Sequence, residues 1–256
     1  MSTPRNTLAQ HFKSLHRPRH PLILANVYDA ATAQTVASLP SARAIATASY
    51  AVAAAAGTSD EELPCDELLG SATAIASAVR PTGKPLSIDI RDGYNTRLPM
   101  IIQRLLDAGV VGVNLEDFYN AAKTMYSPAE AVQRVRTVLG EARAAGVPDF
   151  VVNARCDALL HGGTLEEVIA RGREYLAAGA ATVFVWGGAK RGGITREEVG
   201  RLVEAFEGRL NVKAVPGGLT TKELAAMGVA RVSVGPALLV AALERVREVA
   251  EGLLTE

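Results

Sequence analysis

The chain has 256 residues, 48% hydrophobic and 21% charged, a balance that excludes disordered and fibrous classes and fits a folded protein large enough for one barrel. Lys plus Arg and Asp plus Glu both number 27, so there is no basic excess and nucleic acid is not an expected partner. No apolar run reaches the roughly 20 residues of a membrane span, the first 20 residues lack the apolar core of a secretory signal, and two cysteines, Cys65 and Cys156, are too few for a disulfide scaffold. The expectation is a cytoplasmic α/β enzyme with no membrane partner.

Residues 1–20 read as a lead segment in which His11, His16 and His20 are solvated. Strands are then expected over 22–27, 42–48, 86–90, 112–115, 150–154, 182–186, 212–215 and 231–234. Each is a nearly continuous apolar run, as parallel strands buried on both faces should be. Helical spacing lies between them, as in Leu98, Ile101, Ile102, Leu105 and Leu106, or Ala131, Val135, Val138 and Leu139. Ser127-Pro128-Ala129-Glu130 places a cap before a proline, and Thr164 to Glu167 and Thr195 to Glu198 read as capping boxes. Gly109, Gly146, Gly179 and Gly228 each stand where a helix must stop before a strand. Eight strands alternating with helices, without a linker, give a single (β/α)8 TIM-type barrel over 1–256. Residues 237–256 form its last helix. A doubly wound sheet is the rival, but no G-x-G-x-x-G follows the first strand.

In a barrel, chemistry sits at the C-terminal strand ends. There the chain places Asn26 and Asp29, then Ser49 and Tyr50, then Asp89, Arg91 and Asp92. Asn114, Glu116 and Asp117 follow, then Asn153, Arg155 and Asp157, and Trp186 closes the sixth strand. Carboxylates with an arginine suit a hard cation and an anionic substrate: Mg²⁺ takes oxygen ligands, and a guanidinium grips a carboxylate bidentately. The plain alternatives are that Asp117 is a helix cap, Asp157 only a partner for Arg155, and Ser49 a buried hydroxyl satisfied by backbone. The four histidines have no zinc-ligand spacing.

The segments NVYDAATAQTV, AIATASYAVAAAAGTSDEEL, PLSIDIRDGY, AGVVGVNLEDF, FVVNARCDALL and GVARVSVGPALLVAAL together resemble the isocitrate lyase / phosphoenolpyruvate mutase superfamily, from about Leu22 to the C-terminus. The resemblance implies a Mg²⁺-dependent barrel, with Mn²⁺ as the substitute, that makes or breaks C–C or P–C bonds beside a 2-oxo acid. It also implies a homodimer or homotetramer that exchanges last helices. Carried over by position, Asp89 is the direct metal ligand, with Asp60 and Glu116 acting through water. Arg155 binds the substrate carboxylate, with Asn153 beside it. The backbone amides of Ser49, Tyr50 and Ala51 hold the oxo-acid end, and Lys123 sits on a lid with a catalytic part.

Four departures stand out. Arg91 occupies a position where the superfamily commonly has a second acid, and there it is expected to repel the metal or to bind a substrate anion, or, where Mg²⁺ is used, to point away from it or pair with Asp60 or Glu116. The Lys-Lys-Cys-Gly-His run of the isocitrate lyases is absent. A mutase-like gating loop reads Lys123-Thr124-Met125-Tyr126 instead of Lys-Thr-Asn-Ser. Tyr50 and Trp186 add aromatic walls to the pocket. The expected activity is Mg²⁺-assisted C–C bond lysis or hydrolysis of a small 2-oxo or 2-hydroxy carboxylate through an enolate-like intermediate. The alternatives are a phosphonopyruvate-type P–C mutase or hydrolase, and a metal-independent binding protein or biosynthetic catalyst motivated by Arg91 alone.

Overall fold

A computed structural model describes residues 3–255. Eight helical segments and a barrel sheet alternate after an N-terminal helix, α1 (Pro4–Ser14), and a last helix, α10 (Ala237–Leu254), follows them. The barrel strands are β1 (Leu22–Leu24), β2 (Asn26–Val27), β3 (Ile45–Thr47), β4 (Leu86–Asp89), β5 (Gly112–Glu116), β8 (Val151–Cys156), β9 (Thr182–Val185), β10 (Leu210–Lys213) and β11 (Arg231–Ser233). A small antiparallel hairpin, β6 (Phe118–Tyr119) with β7 (Thr124–Met125), stands outside that sheet. All pairings within the barrel sheet are parallel, in the order β1-β11-β10-β9-β8-β5-β4-β3-β2. Since β1 and β2 are one extended run interrupted at Ala25, with Leu24 paired to Ser233 and Asn26 to Ala46, the ring closes as expected of eight βα units.

The helices between the strands are α2 (Ala30–Ser38), α3 (Ser49–Ala55), α4 (Cys65–Val79), α5 (Leu98–Ala108), α6 (Pro128–Ala144), α7 (Leu165–Ala177), α8 (Arg196–Ala205) and α9 (Thr221–Met227). The apolar stripe of α5, from Leu98 to Leu106, is buried against the sheet, as its spacing requires. Ser127 with Glu130 and Thr195 with Glu198 form complete capping boxes, and the Thr164 hydroxyl accepts from the Glu167 N–H. The four helix-stop glycines have φ of 90°, 77°, 109° and 106°, a left-handed turn that costs glycine no Cβ clash.

The lead segment departs from expectation. It forms α1 across the N-terminal end of the barrel, where Phe12 is fully buried. A Cβ on Gly112 would lie 2.7 Å from the Phe12 ring, so the first residue of β5 has to be glycine for the helix to seat. Asn6, Gln10 and Lys13 all reach Asp149, tying α1 to the loop before β8. His16 is therefore not solvated: burial, reinforced by the Arg231 charge, lowers its pKa to about 3, and its Nε2 lies 3.3 Å from Arg231 Nη1. Among the described residues, no helix is long and apolar enough to cross a membrane.

Candidate active site

Strand pleating sends every second residue of a barrel strand inward, and here those positions are polar. Asp89 is paired in register with Asn114, Asn114 with Asn153, and Asn153 with Thr182. The side chains follow the register. Asn114 Nδ2 donates to Asp89 Oδ1 at 2.9 Å, Asn153 Nδ2 to Asn114 Oδ1 at 2.8 Å, and the Thr182 hydroxyl to Asn153 Oδ1 at 2.6 Å. An ionised carboxylate can only accept, so it dictates the orientation of both amides down the row. On its other side Asp89 Oδ2 accepts the Ser49 N–H at 2.9 Å, and the Asp89 N–H donates to Thr47 Oγ1 at 2.8 Å. The carboxylate is thus held rigidly by neutral donors, without a cationic side chain in ion-pair contact.

Asp60 comes from the 3-10 turn Asp60–Glu62, which lies against α3. Its Oδ1 is buried with no hydrogen-bond partner among the described residues, and Arg91 Nε lies 3.8 Å away. Burial, then the neighbouring Asp89 charge, raises its pKa. Glu116, at the end of β5, lies 2.8 Å from Arg155 Nη1, and Arg155 Nε donates to Asp157 Oδ1 at 2.7 Å. Burial pushes the Glu116 carboxyl well above the ordinary range despite that arginine. Burial pulls against the Arg155 charge, but Asp157 and Glu116 outweigh it and raise its pKa. Arg155 Nη2 keeps no partner among the described residues. Its guanidinium carbon lies 5.3 Å from the centre of the Phe184 ring.

A cavity of about 420 Å³ opens at the C-terminal strand ends, a size suited to a small ligand. It brings together Ser49, Tyr50, Asp60, Asp89, Asn153, Arg155 and Trp186 of the expected set. Ser49 is buried with its amide spent on Asp89, and the Ala51 N–H is spent on Ala48 O, so of the three expected amides only that of Tyr50 is uncommitted. Ala51 is fully buried behind the wall and Glu116 stands behind Arg155.

Two expected residues are elsewhere. Arg91 is not on the cavity wall: its φ of 55° turns the chain just after β4, and the side chain is buried beneath the Asp60 turn. Its Nη1 and Nη2 donate to the Leu63 and Glu61 carbonyls at 3.3 and 3.2 Å. The expectation that Arg91 faces metal or substrate assumed an unbroken strand; the left-handed turn rotates it away. Lys123, at the tip of the β6–β7 hairpin with φ of 53°, lies 2.5 Å from Glu61 and lines no part of the cavity. Asp157 is the partner of Arg155. Asp117 is no helix cap: it accepts the Asp157 N–H at 2.8 Å and the Tyr175 hydroxyl at 2.6 Å.

The sequence reading missed Thr47, Phe184, Lys213 and Arg231 on the wall. The available signal was alternation: in Leu210-Asn211-Val212-Lys213 and Arg231-Val232-Ser233, every second residue is polar.

The model of the phosphoenolpyruvate phosphomutase family matches residues 12–254. The fold is similar to the crystal structure of a Burkholderia cenocepacia J2315 protein, 32% identical, with a TM-score of 0.87 over 97% of this chain and 99% of that one. An uncharacterized protein of Mycobacterium tuberculosis H37Rv is 30% identical over 94% of this chain and 89% of its own. The structure of oxaloacetate acetylhydrolase in complex with the product oxalate is 26% identical, with a TM-score of 0.83 over 94% of this chain and 84% of that chain. These matches agree with the barrel and its polar mouth: the chain belongs to the phosphoenolpyruvate phosphomutase family.

Proposed function

We propose that the protein is a Mg²⁺-assisted C–C bond lyase or hydrolase acting on a small 2-oxo or 2-hydroxy carboxylate. The observation that carries this reading is the placement of a guanidinium with an unspent nitrogen, Arg155, in one cavity with the rigid carboxylate of Asp89. Among the described residues no three carboxylate, imidazole or thiolate side chains converge as direct ligands, which disfavours Zn²⁺ or an all-protein Ca²⁺ cage. One direct carboxylate with water completing the shell is the pattern that suits Mg²⁺ or Mn²⁺. The orphaned Oδ1 of Asp60 supplies an acceptor for such a water. Asp89 would hold the ion, with Asp60 ordering its waters and Glu116, behind Arg155, fixing the guanidinium beside it. Bound there, it would stabilise the oxyanion of an enolate.

The chain's own residues do the rest. Arg155 takes the substrate carboxylate through Nη2, held in place by Glu116 and Asp157 so that little orientation is left to lose on binding. The Tyr50 N–H is free to donate to an oxo or hydroxyl oxygen. Tyr50 and Trp186 wall the mouth against water. Lys123 and Glu61 are both more than half exposed, so water screens their ion pair and it can release the hairpin as a lid.

A phosphonopyruvate-type P–C mutase or hydrolase is the second reading, favoured by the family whose model matches. A metal-independent role had Arg91 as its motive, and the burial of that side chain under the Asp60 turn removes it. We also infer a homodimer or homotetramer. Along α10 only Leu239 is buried, while Val240, Leu243, Val246, Val249 and Leu253 are exposed.

The reading is tested by incubating the protein and Mg²⁺ with oxaloacetate, phosphonopyruvate, dimethylmalate and citramalate and assaying pyruvate and oxalate. C–C cleavage of a 2-oxo or 2-hydroxy acid supports it. Turnover of phosphonopyruvate alone shifts the assignment to P–C chemistry, and no turnover of any of them overturns it.

A further inference from the structure

The charges around the cavity are unevenly settled. On the β4–β8 side Asp89 is held by neutral donors and Arg155 is paired with Glu116 and Asp157. Across the barrel, β10 and β11 contribute Lys213 and Arg231 to the same cavity. Neither has a carboxylate within ion-pair distance among the described residues. Lys213 Nζ lies 4.3 Å from the Trp186 ring centre and makes no hydrogen bond among those residues. Arg231 is 3% exposed, its Nε has no hydrogen-bond partner, and its Nη1 meets only the His16 ring.

Of the neutral groups beside them, Asn26 is spent, whereas Asn211 Oδ1 is buried without a hydrogen-bond partner among the described residues. Asn26 donates to Thr47 O and accepts the Val234 and Gly235 N–H groups, and Asn211 donates to the Ser233 hydroxyl. On this wall Lys213 and Arg231 keep cationic donors that no acceptor among the described residues takes up. Strand register puts them on adjacent strands, two residues apart along the strand: Asn211 pairs with Arg231, and Lys213 with Ser233. Gly235 makes room for the lysine, since a Cβ there would lie 2.8 Å from Lys213 Cε. Two buried or half-buried positive charges without counter-charge in one cavity call for an anion.

We propose that Lys213 and Arg231 form a second anion subsite that receives a further anionic group of the substrate, carboxylate or phosphoryl, on the wall opposite Asp89. This rests on the reading of the cavity as a site for small 2-oxo or 2-hydroxy carboxylates. One anionic end of the ligand goes to Arg155 and the other to the Lys213 wall, so the substrate is at least a dianion. Burial, with Arg155 next in importance, lowers the Lys213 pKa, and burial pulls that of Arg231 down to about 9. Burial is the first cause of both shifts, and the Asp89 charge opposes that of Arg231.

The test uses the full chain with Mg²⁺ and two matched 2-hydroxy acids, lactate and malate, which differ by one carboxylate. Binding is measured by calorimetry. The fluorescence of Trp186, the only tryptophan, locates the second group. The expected result is malate binding at least tenfold tighter than lactate. Lys213→Met should abolish that preference with lactate affinity held within twofold, and Lys213→Arg should keep it. An unchanged malate-to-lactate ratio in Lys213→Met, or equal loss of both acids, overturns the subsite. Inorganic phosphate binding that depends on Lys213, with no malate preference, would show a separate small anion there and also overturn the proposal. If wild-type protein binds neither acid, the reading of the whole cavity fails, and the subsite with it.

Discussion

Arg155 Nη1 lies 2.8 Å from Glu116 Oε1 while its Nε donates to Asp157 Oδ1 at 2.7 Å, so two buried carboxylates hold one guanidinium and leave its third nitrogen for a ligand. Arg155→Met would strip both acids of their partner and cost about 3–5 kcal/mol of stability, read by urea unfolding. Arg155→Lys keeps the charge but loses the fork, and kcat/KM for the preferred acid should fall tenfold to hundredfold, about 1.5–3 kcal/mol. Equal kcat/KM in the lysine variant would remove Arg155 from the substrate.

Arg91 separates two geometries. Were it aimed at a bound metal 4 Å away, repulsion would reach about 4 kcal/mol at an effective dielectric near 20, and an acid in its place would tighten Mg²⁺ about a thousandfold. With Arg91 instead clamping the Leu63 and Glu61 carbonyls, Arg91→Asp should lose about 2–4 kcal/mol of stability through an unpaired buried charge next to Asp60. Its Mg²⁺ affinity should be no better than wild type. Calorimetric Mg²⁺ titration beside urea unfolding separates these outcomes.

His16 gives the stability a signed pH dependence. Its folded pKa, about 3, lies below the unfolded value of 6.5, so the native state resists its protonation. That contribution is fully present above about pH 6.5 and is lost as pH falls, at about 1.4 kcal/mol per pH unit between about pH 6 and 4. Asp117, raised to about 6 by burial and by Asp157, works in the opposite direction. The difference between wild type and His16→Gln isolates the histidine: unfolding free energy should vary less steeply in the variant as pH falls through that window. Parallel curves would mean that His16 is solvated after all.

The exposed face of α10 predicts a light-scattering mass that is a multiple of 26.9 kDa at micromolar concentration. Leu243→Glu with Val246→Glu should then return the protein to monomer without unfolding it. A wild-type monomer would count against the inferred assembly.

The barrel was legible because helix periodicity, caps and stop glycines agree with the apolar strand runs at nearly every unit. Strand boundaries were less so. The seventh strand, expected over 212–215, is Leu210–Lys213; the shift makes Lys213 its last residue and puts it at the mouth. Arg91 does not line the cavity, because alternation holds only while the chain is extended and φ of 55° at that residue ends it; its pairing with Asp60 was among the expectations. Lys123 and the row from Thr182 to Asp89 depend on partners 25 to 62 residues away, which no local pattern encodes. Asp89 and Arg155 were found from the strand-end chemistry and the resemblance together.

The central claim is that Asp89 carries a Mg²⁺ ion on which C–C cleavage depends. The most direct measurement is product release with the best substrate of the acid panel, for wild type and Asp89→Asn, with Mg²⁺ and with excess chelator, beside calorimetric Mg²⁺ binding. Turnover that needs Mg²⁺, with both turnover and binding lost in Asp89→Asn, is the predicted result. Turnover that survives the chelator, or Mg²⁺ affinity unchanged in Asp89→Asn, would contradict it.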